Sequence, residues 1–493
     1  MKTTNIKFNF FGHIRFLSST SISLLFLIII LTCGCKKFIE IPPSSDQLVT
    51  SSVFNNNAAA TSAVTDIYTQ MWRNAESAIM AQNNGLLGDE LTEYNTSPGI
   101  NYQEYINSMF AESPASNSFG PWINGYNYIY QANAVISGLQ QYSGTSLTVK
   151  QQLLGEAYFI RAFWHFYLTS CYGAIPLITT TSYSVNNALS RTPRNQVLLQ
   201  IIADLNQARI LLNTNYVDAS DTLTTTSRVR PNKAVATALL ARVYLYMGNY
   251  SNDKSYYAKA DSAASAVIAN NDYSLVPLTN VFLANSSNTE AIWQLATPLP
   301  ANYDTTDGET FILIAAPGPG GNSETLSPQL LNAFEPNDQR FNNWVGSITT
   351  GGTTYYFPYK YKNYMYEGVE YTVVLRLAEQ YLIRAEAKVY KGDLPGAAND
   401  LNMIRTRAGL PNTIAANQND LLTAILHERQ VELFTEWGHR WFDLNRTGNT
   451  SNVMSVVTPS KGGTWNPNGY QELYPIPQIE INVDHNLTQN PGY

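Results

Sequence analysis

Glu428, Glu432 and Glu436 recur at four-residue spacing inside the densest charged stretch of the chain, HERQVELFTEWGHRWFDLNRTG at 427–448. On a helix such spacing lines one face with carboxylates. Val431 and Phe434 lie beside them, Gly438 marks the expected helix end, and Arg429, Arg440 and Arg446 supply cations. Two chemistries offer themselves. His427 followed by Glu428 opens as a zinc-protease helix does, yet the residue four after His427 is Val431, so the second metal ligand is missing. The other chemistry is an ion-pair network. Only 14% of the 493 residues are charged, and charges gathered among aromatics must be paired, because a lone buried charge is very costly. Glu428, Arg429, Glu432, Arg440 and Asp443 are therefore expected to be structural, with no metal, no cofactor and no catalytic residue among them.

A second stretch, GDELTEYNTSPGINYQEY at 88–105, mixes Asp89, Glu90 and Glu93 with Tyr94, Tyr102 and Tyr105 around a Ser-Pro-Gly turn. Paired carboxylates such as Asp89 and Glu93 could cleave a glycosidic bond, although acid pairs are common by chance. The same residues suit binding without turnover: a ring stacks on the apolar face of a sugar while amides and carboxylates satisfy its hydroxyls. A third stretch shares the texture. Residues 277–372 hold the strand-like EAIWQLA, the turn-rich APGPGGN at 316–322 and a run of aromatics from Trp344 to Tyr371, with almost no helical period. So long an insertion is functional or disordered, and its aromatic content argues against disorder. The candidate ligand contacts are Tyr94, Tyr102, Tyr303, Trp344, Tyr356 and Tyr359, with Asp89 and Asn101 as polar partners. Trp344 leads them, because it lies in the polar run FNNWVGS whereas Trp164 sits among apolar residues.

Helices must position these stretches. Residues 57–81 and 121–141 read as helical, and Leu153, Ala157, Ile160, Trp164 and Leu168 form a clean stripe over 146–170, with His165 as a core histidine. Thr192 and Pro193 read as the cap and first turn of a helix carrying Val197, Ile201, Leu205, Ala208 and Leu212. Setting Gly248 against Gly392 aligns Ala241 with Ala385, Tyr246 with Tyr390 and Asn249 with Asp393. Helix, glycine turn and alanine-rich helix have the look of a tetratricopeptide unit.

Composition and targeting bound the rest. A net charge of −7 and the lack of a basic block exclude a nucleic-acid partner. Residues 1–35 carry Lys2, Lys7 and Arg15 but no acid, then a short apolar run, then TCGC. The run falls short of the ~20 residues that span a bilayer, so it reads as a secretory signal. Cys35, after Gly34, is the expected lipidation site, and Lys36 and Lys37 follow it. Cys171 lies in a helical stretch, so no disulfide framework is expected.

Five segments carry a resemblance to the SusD/RagB family. They are CKKFIEIPP at 35–43, GEAYFIRAFWHFYLTSCYGAIPL at 155–177, RLAEQYLIRAEAKVYKGD at 376–393, the stretch at 427–448 and YPIPQIEINVDHNLTQNPGY at 474–493, in that order. The resemblance implies a mainly α fold of tetratricopeptide-like helical repeats, about four helix pairs, with a large loop-rich insertion (277–372) containing a few short strands. It implies a signal peptide at 1–34, a SusD-like N-terminal region at 35–230 and a C-terminal region at 231–493, integrated in one body. The implied function is capture of oligosaccharide or polysaccharide by a lipoprotein anchored in the outer membrane and facing outward, and delivery to a SusC-like TonB-dependent transporter. In the family the repeats pack against that partner and the early and central loops hold ligand on the opposite face. Peptide capture is the alternative, and a glycoside hydrolase is a more remote one.

Overall fold

The apolar stripe at 153–168 becomes the axis of the core. In a computed structural model of the chain, residues 50–112, 120–251 and 253–493 are described, and between 152 and 172 every residue except Tyr158 is buried. Cys33, Cys35, Lys36, Lys37 and the expected signal peptide lie outside the described residues. Among the described residues the helices of nine residues or more are α1 (Asn57–Arg73), α2 (Glu76–Leu87), α3 (Trp122–Gln141), α4 (Leu147–Tyr172), α5 (Arg194–Leu211), α6 (Lys233–Tyr250) and α7 (Ser255–Ile268). After the insertion come α8 (Leu377–Lys391), α9 (Leu394–Arg407), α10 (Gln418–Leu433), α11 (His439–Thr447) and α12 (Thr450–Ser460). Asn56, Asn232, Asp393 and Asn417 cap α1, α6, α9 and α10 by accepting a backbone N–H, as short polar side chains do at helix starts.

The architecture is mainly α, with tetratricopeptide-like helix hairpins and short strands confined to small ladders. Helix α4 packs between α3 and α5; α5 packs on α6, α6 on α7, α7 on α8 and α8 on α9, and α10 lies across α8 and α9. None of the described helices is long and apolar enough to cross a membrane. Early and late segments share one core: Phe163 and Tyr167 of α4 meet Trp437 at 5.4 Å each, and Arg242 of α6 forks onto Glu379 of α8 at 2.6 and 2.7 Å.

Local backbone chemistry corrects several expectations. The helix expected over 57–81 breaks at Ala75, which adopts φ 54° between α1 and α2. Thr192 does not cap α5; its backbone pairs with Ile175 and Pro193 occupies the cap position. Gly248 is no turn residue. It lies inside α6, where a Cβ would stand 2.6 Å from the Tyr257 ring, so its smallness lets α7 approach α6. Its counterpart Gly392 does end α8, at φ 85°. Gly438 likewise does not end the signature helix: α10 stops at Leu433, Thr435 and Trp437 adopt positive φ, and Gly438 precedes α11.

Glu436 therefore sits in a turn, yet it still joins the two helical glutamates in one network. The partners come from elsewhere in sequence. Arg340 holds Glu428 (2.6 Å) and Glu432 (3.0 Å); Arg376 holds Glu432 (2.6 Å), Glu436 (2.7 Å) and Glu290 (3.1 Å); Arg405 reaches Glu428, Arg407 reaches Glu290 and Glu432, and Lys360 reaches Glu436. Burial alone would raise the Glu432 carboxyl, but Arg407, Arg376 and Arg340 hold it far below the usual carboxylate range. Arg429 pairs with Asp443 (2.6 Å), which also takes Arg446 (2.8 Å), and Arg440 crosses to Asp89 (2.7 Å). His427 is drawn into the same web. Its Nε2 faces the Ala333 carbonyl at 2.8 Å, while the nearby Glu335 and Glu428 face arginines.

Candidate ligand-binding face

Two segments more than two hundred residues apart meet edge to edge. Strand β1 (Leu91–Glu93) pairs antiparallel with β3 (Glu324–Leu326), Leu91 opposite Leu326 and Glu93 opposite Glu324, and the Tyr94 N–H continues the ladder onto the Ser323 carbonyl at 2.9 Å. Strand β2 (Ala291–Leu295) pairs with β6 (Thr372–Arg376) and roots the insertion in the core. Strands β4 (Val345–Thr350) and β5 (Thr353–Pro358) form a hairpin that lies beside β3.

From this frame the aromatic side chains emerge by strand period. Successive strand residues face opposite ways, so Tyr355, Phe357 and, just past the strand, Tyr359 gather with Ile312 and Leu313, while Tyr356 turns to Phe341 at 5.9 Å. Gly346 opposite Phe357 makes room, since a Cβ there would lie 2.4 Å from the ring. Tyr94, 42% exposed, sets its ring edge-on to Tyr355 at 5.5 Å. The short helix Ile100–Tyr105 adds Tyr102, tilted against Tyr105 at 6.5 Å, and Asn101, whose Nδ2 donates to Glu324 Oε1 at 2.9 Å. Gln82 of α2 donates to the same oxygen at 2.7 Å. Burial pushes the Glu324 carboxyl up to about 7, and the facing Glu93 adds to the rise. The arrangement is a ring-edged surface with polar groups at its base.

Tyr94, Tyr102, Asn101 and Tyr359 thus belong to the elements that build this surface, and four other candidates do not. Trp344 is fully buried: its indole N–H donates to the Leu278 carbonyl at 3.0 Å, Phe282 packs at 5.8 Å, and Lys360 stands 5.0 Å from its ring. The polarity of FNNWVGS reports the outer side of a single helical turn, Gln339–Trp344, whose last residue points inward. Asp89 is 4% exposed and held by Arg440 on both oxygens. Asp89 and Glu93 are therefore not a free carboxylate pair. Tyr303 stacks on Trp72 at 5.3 Å, against the helical core, and Tyr356 faces the wrong side of its strand. Tyr355, Gln82 and Glu324 were missed. The two-residue alternation in TTYYFPY could have found Tyr355, but Gln82 and Glu324 join the surface only through a pairing that sequence does not announce.

Comparison with known proteins agrees with the architecture. A family model described as the SusD family matches residues 335–493, and one described as "Starch-binding associating with outer membrane" matches 37–245. The chain is 26% identical to SusD-like protein P2 of Formosa agariphila, across 95% of this chain and 99% of that one. It is 35% identical to the starch-binding protein SusD of Bacteroides thetaiotaomicron over 123 residues, 24% of this chain and 21% of that one. Among solved structures, a SusD superfamily protein of Bacteroides vulgatus superposes with a TM-score of 0.74 at 20% identity, covering 89% of this chain and 99% of that one. A SusD homolog of Bacteroides thetaiotaomicron gives 0.74 at 18% identity over 90% and 98%. With both ends of the chain matched by family models, a relative aligned over nearly its whole length and the same fold in solved structures, this chain belongs to the SusD/RagB family.

Proposed function

We infer that the protein is an outer-membrane lipoprotein, anchored through Cys35 and facing the cell exterior, that binds oligosaccharide and passes it to a SusC-like TonB-dependent transporter. The observation that carries the reading is the meeting of two aromatic, turn-rich segments, where Tyr94 touches Tyr355 and the Asn101 and Gln82 amides converge on Glu324. Rings with neighbouring amides are what a pyranose requires of a protein. The family match described as starch-binding and outer-membrane-associating supports the same ligand class and place. The helix hairpins α6–α7 and α8–α9 are assigned to the transporter, leaving the ringed surface to the ligand.

Binding without turnover fits the carboxylates. Asp89 is neutralised by Arg440, and Glu93 and Glu324 are buried beneath the surface, where they cannot flank a glycosidic bond. The test is affinity measurement of the full chain against a panel of polysaccharides, with assay of new reducing ends. Saturable binding without new reducing ends supports the reading, and release of reducing sugar contradicts it. Cys35→Ala in the producing cell should move the protein from the membrane to the soluble fraction.

A further inference from the structure

The floor of the ringed surface is built from hydrogen-bond acceptors. Glu93 and Glu324 stand opposite one another across the β1–β3 ladder, 5% and 3% exposed, although like charges at such positions repel. Asp89, Glu428, Glu432 and Glu436, carboxylates crowded elsewhere in the chain, each meet Arg or Lys. No Lys or Arg is among the main groups acting on Glu324, which are Glu93, Asn101 and the Ser323 backbone. Glu93 Oε1 accepts the Asn95 N–H at 2.6 Å, and its carboxyl is also a hydrogen-bond partner of the Glu324 carboxyl.

The amides above continue the pattern. Glu324 Oε1 accepts from both side chains, so Gln82 and Asn101 turn their N–H groups to it and their oxygens away. Both residues are half-buried, and among the described residues neither amide oxygen receives a hydrogen bond. Two open amide oxygens backed by two carboxyls that no Lys or Arg pairs with among the described residues, beside the Tyr94 and Tyr102 rings, form a site short of positive charge.

We propose that this floor selects oligosaccharides carrying a primary ammonium group, that is, amino sugars with a free amine, over neutral or N-acetylated sugars. The proposal rests on the reading of the ringed surface as a glycan site. An ammonium has three donors, no acceptor and a charge that both the carboxyls and a tyrosine face attract. Acetylation removes that charge and adds an acceptor carbonyl to a place already rich in acceptors.

The experiment is calorimetric titration of the full chain at about pH 7, where an amine is still largely protonated and Glu324, raised to about 7, is ionised in part. The probes are β-linked oligomers of glucosamine, N-acetylglucosamine and glucose of equal length, with trilysine as a non-sugar amine. The expected result is affinity for the glucosamine oligomer about tenfold or more above the other two sugars, as a charge-assisted hydrogen bond allows, and weakened by salt. In Glu324→Gln, with its melting temperature checked, the ratio of amine to neutral affinity should fall towards one. Asn101→Leu, on an outer helix, gives the same readout should Glu324→Gln fail to fold. Neutral sugar bound as tightly as the amine overturns this proposal and leaves the glycan reading standing. Trilysine bound while no sugar binds, in this set or in the wider polysaccharide panel, overturns both.

Discussion

Trp344→Ala separates a core ring from a ligand-stacking ring. The indole is fully buried, donates to the Leu278 carbonyl and packs against Phe282. Lys360, Arg376 and Arg407 stand 5.0, 5.8 and 5.8 Å from its ring, so it is a wall of the ion-pair network as well as a filler of the core. Truncating a buried Trp costs about 3–5 kcal/mol through lost transfer energy and the cavity left behind. The upper half of that range is expected here, because the cavity opens beside three cations that lose their aromatic face and the Leu278 carbonyl loses its donor. Urea is the denaturant of choice, since an ionic denaturant would also screen the neighbouring pairs. The expected outcome is a large fall in the urea midpoint with glycan affinity unchanged in the fraction that remains folded. A wild-type midpoint with several-fold weaker glycan binding would refute the placement of the ring.

Other perturbations test the same framework. Arg376→Ala should cost about 3–5 kcal/mol, as breaking a buried pair does, towards the lower end because Glu432 keeps Arg340 and Arg407 and Glu436 keeps Lys360; a urea midpoint near wild type would contradict it. Despite burial, Glu432 and Glu436 lie below the usual 4.5, so their contribution is complete above that value and lost as pH falls beneath it, and acid unfolding curves should be less steep in Arg376→Ala. Glu90 behaves oppositely: burial, then Asp89, raises it to about 8 from 4.5, so its contribution is complete below the ordinary value and lost as pH rises through about 8. Glu90→Gln should shrink the drop in urea midpoint between about pH 5 and about pH 9; an unchanged drop would assign it elsewhere. Tyr355→Ala should weaken glycan binding where Tyr356→Ala does not, and equal effects on affinity would contradict the strand alternation.

The helical body was legible because its signals are local. A 3.6-residue stripe places Leu153, Ala157, Ile160, Trp164 and Leu168 inward wherever the helix packs, and alanine-rich partners with a glycine turn announce a hairpin. Even there, Gly248 and Gly392 look alike in sequence, while one is a spacer between helices and the other an end, because only the neighbour at Tyr257 distinguishes them. The charged cluster was legible as a cluster but not as pairs. Glu428 and Glu432 sit where their spacing puts them, yet their arginines come from residues 340, 376, 405 and 407, which only the tertiary fold brings near. The candidate surface was legible by region and not by residue. Polar neighbours made Trp344 look exposed, and a short helical turn buried it; adjacent tyrosines at 355 and 356 look equivalent, and the pleat sends them to opposite faces. Glu324 and Gln82 had no local signal at all, since their place depends on β1 finding β3.

The surface edged by Tyr94, Tyr102 and Tyr355 is assigned to glycan capture, and the direct test is affinity of the wild type and of a Tyr94→Ala/Tyr355→Ala variant for the polysaccharide that binds best. Each ring contact of this kind contributes about 1 kcal/mol, so losing two should weaken binding by roughly an order of magnitude or more. Both rings are at least partly exposed, so the melting temperature should stay near wild type. Glycan binding unchanged in the variant, or no glycan bound by the wild type, would remove glycan capture from this surface.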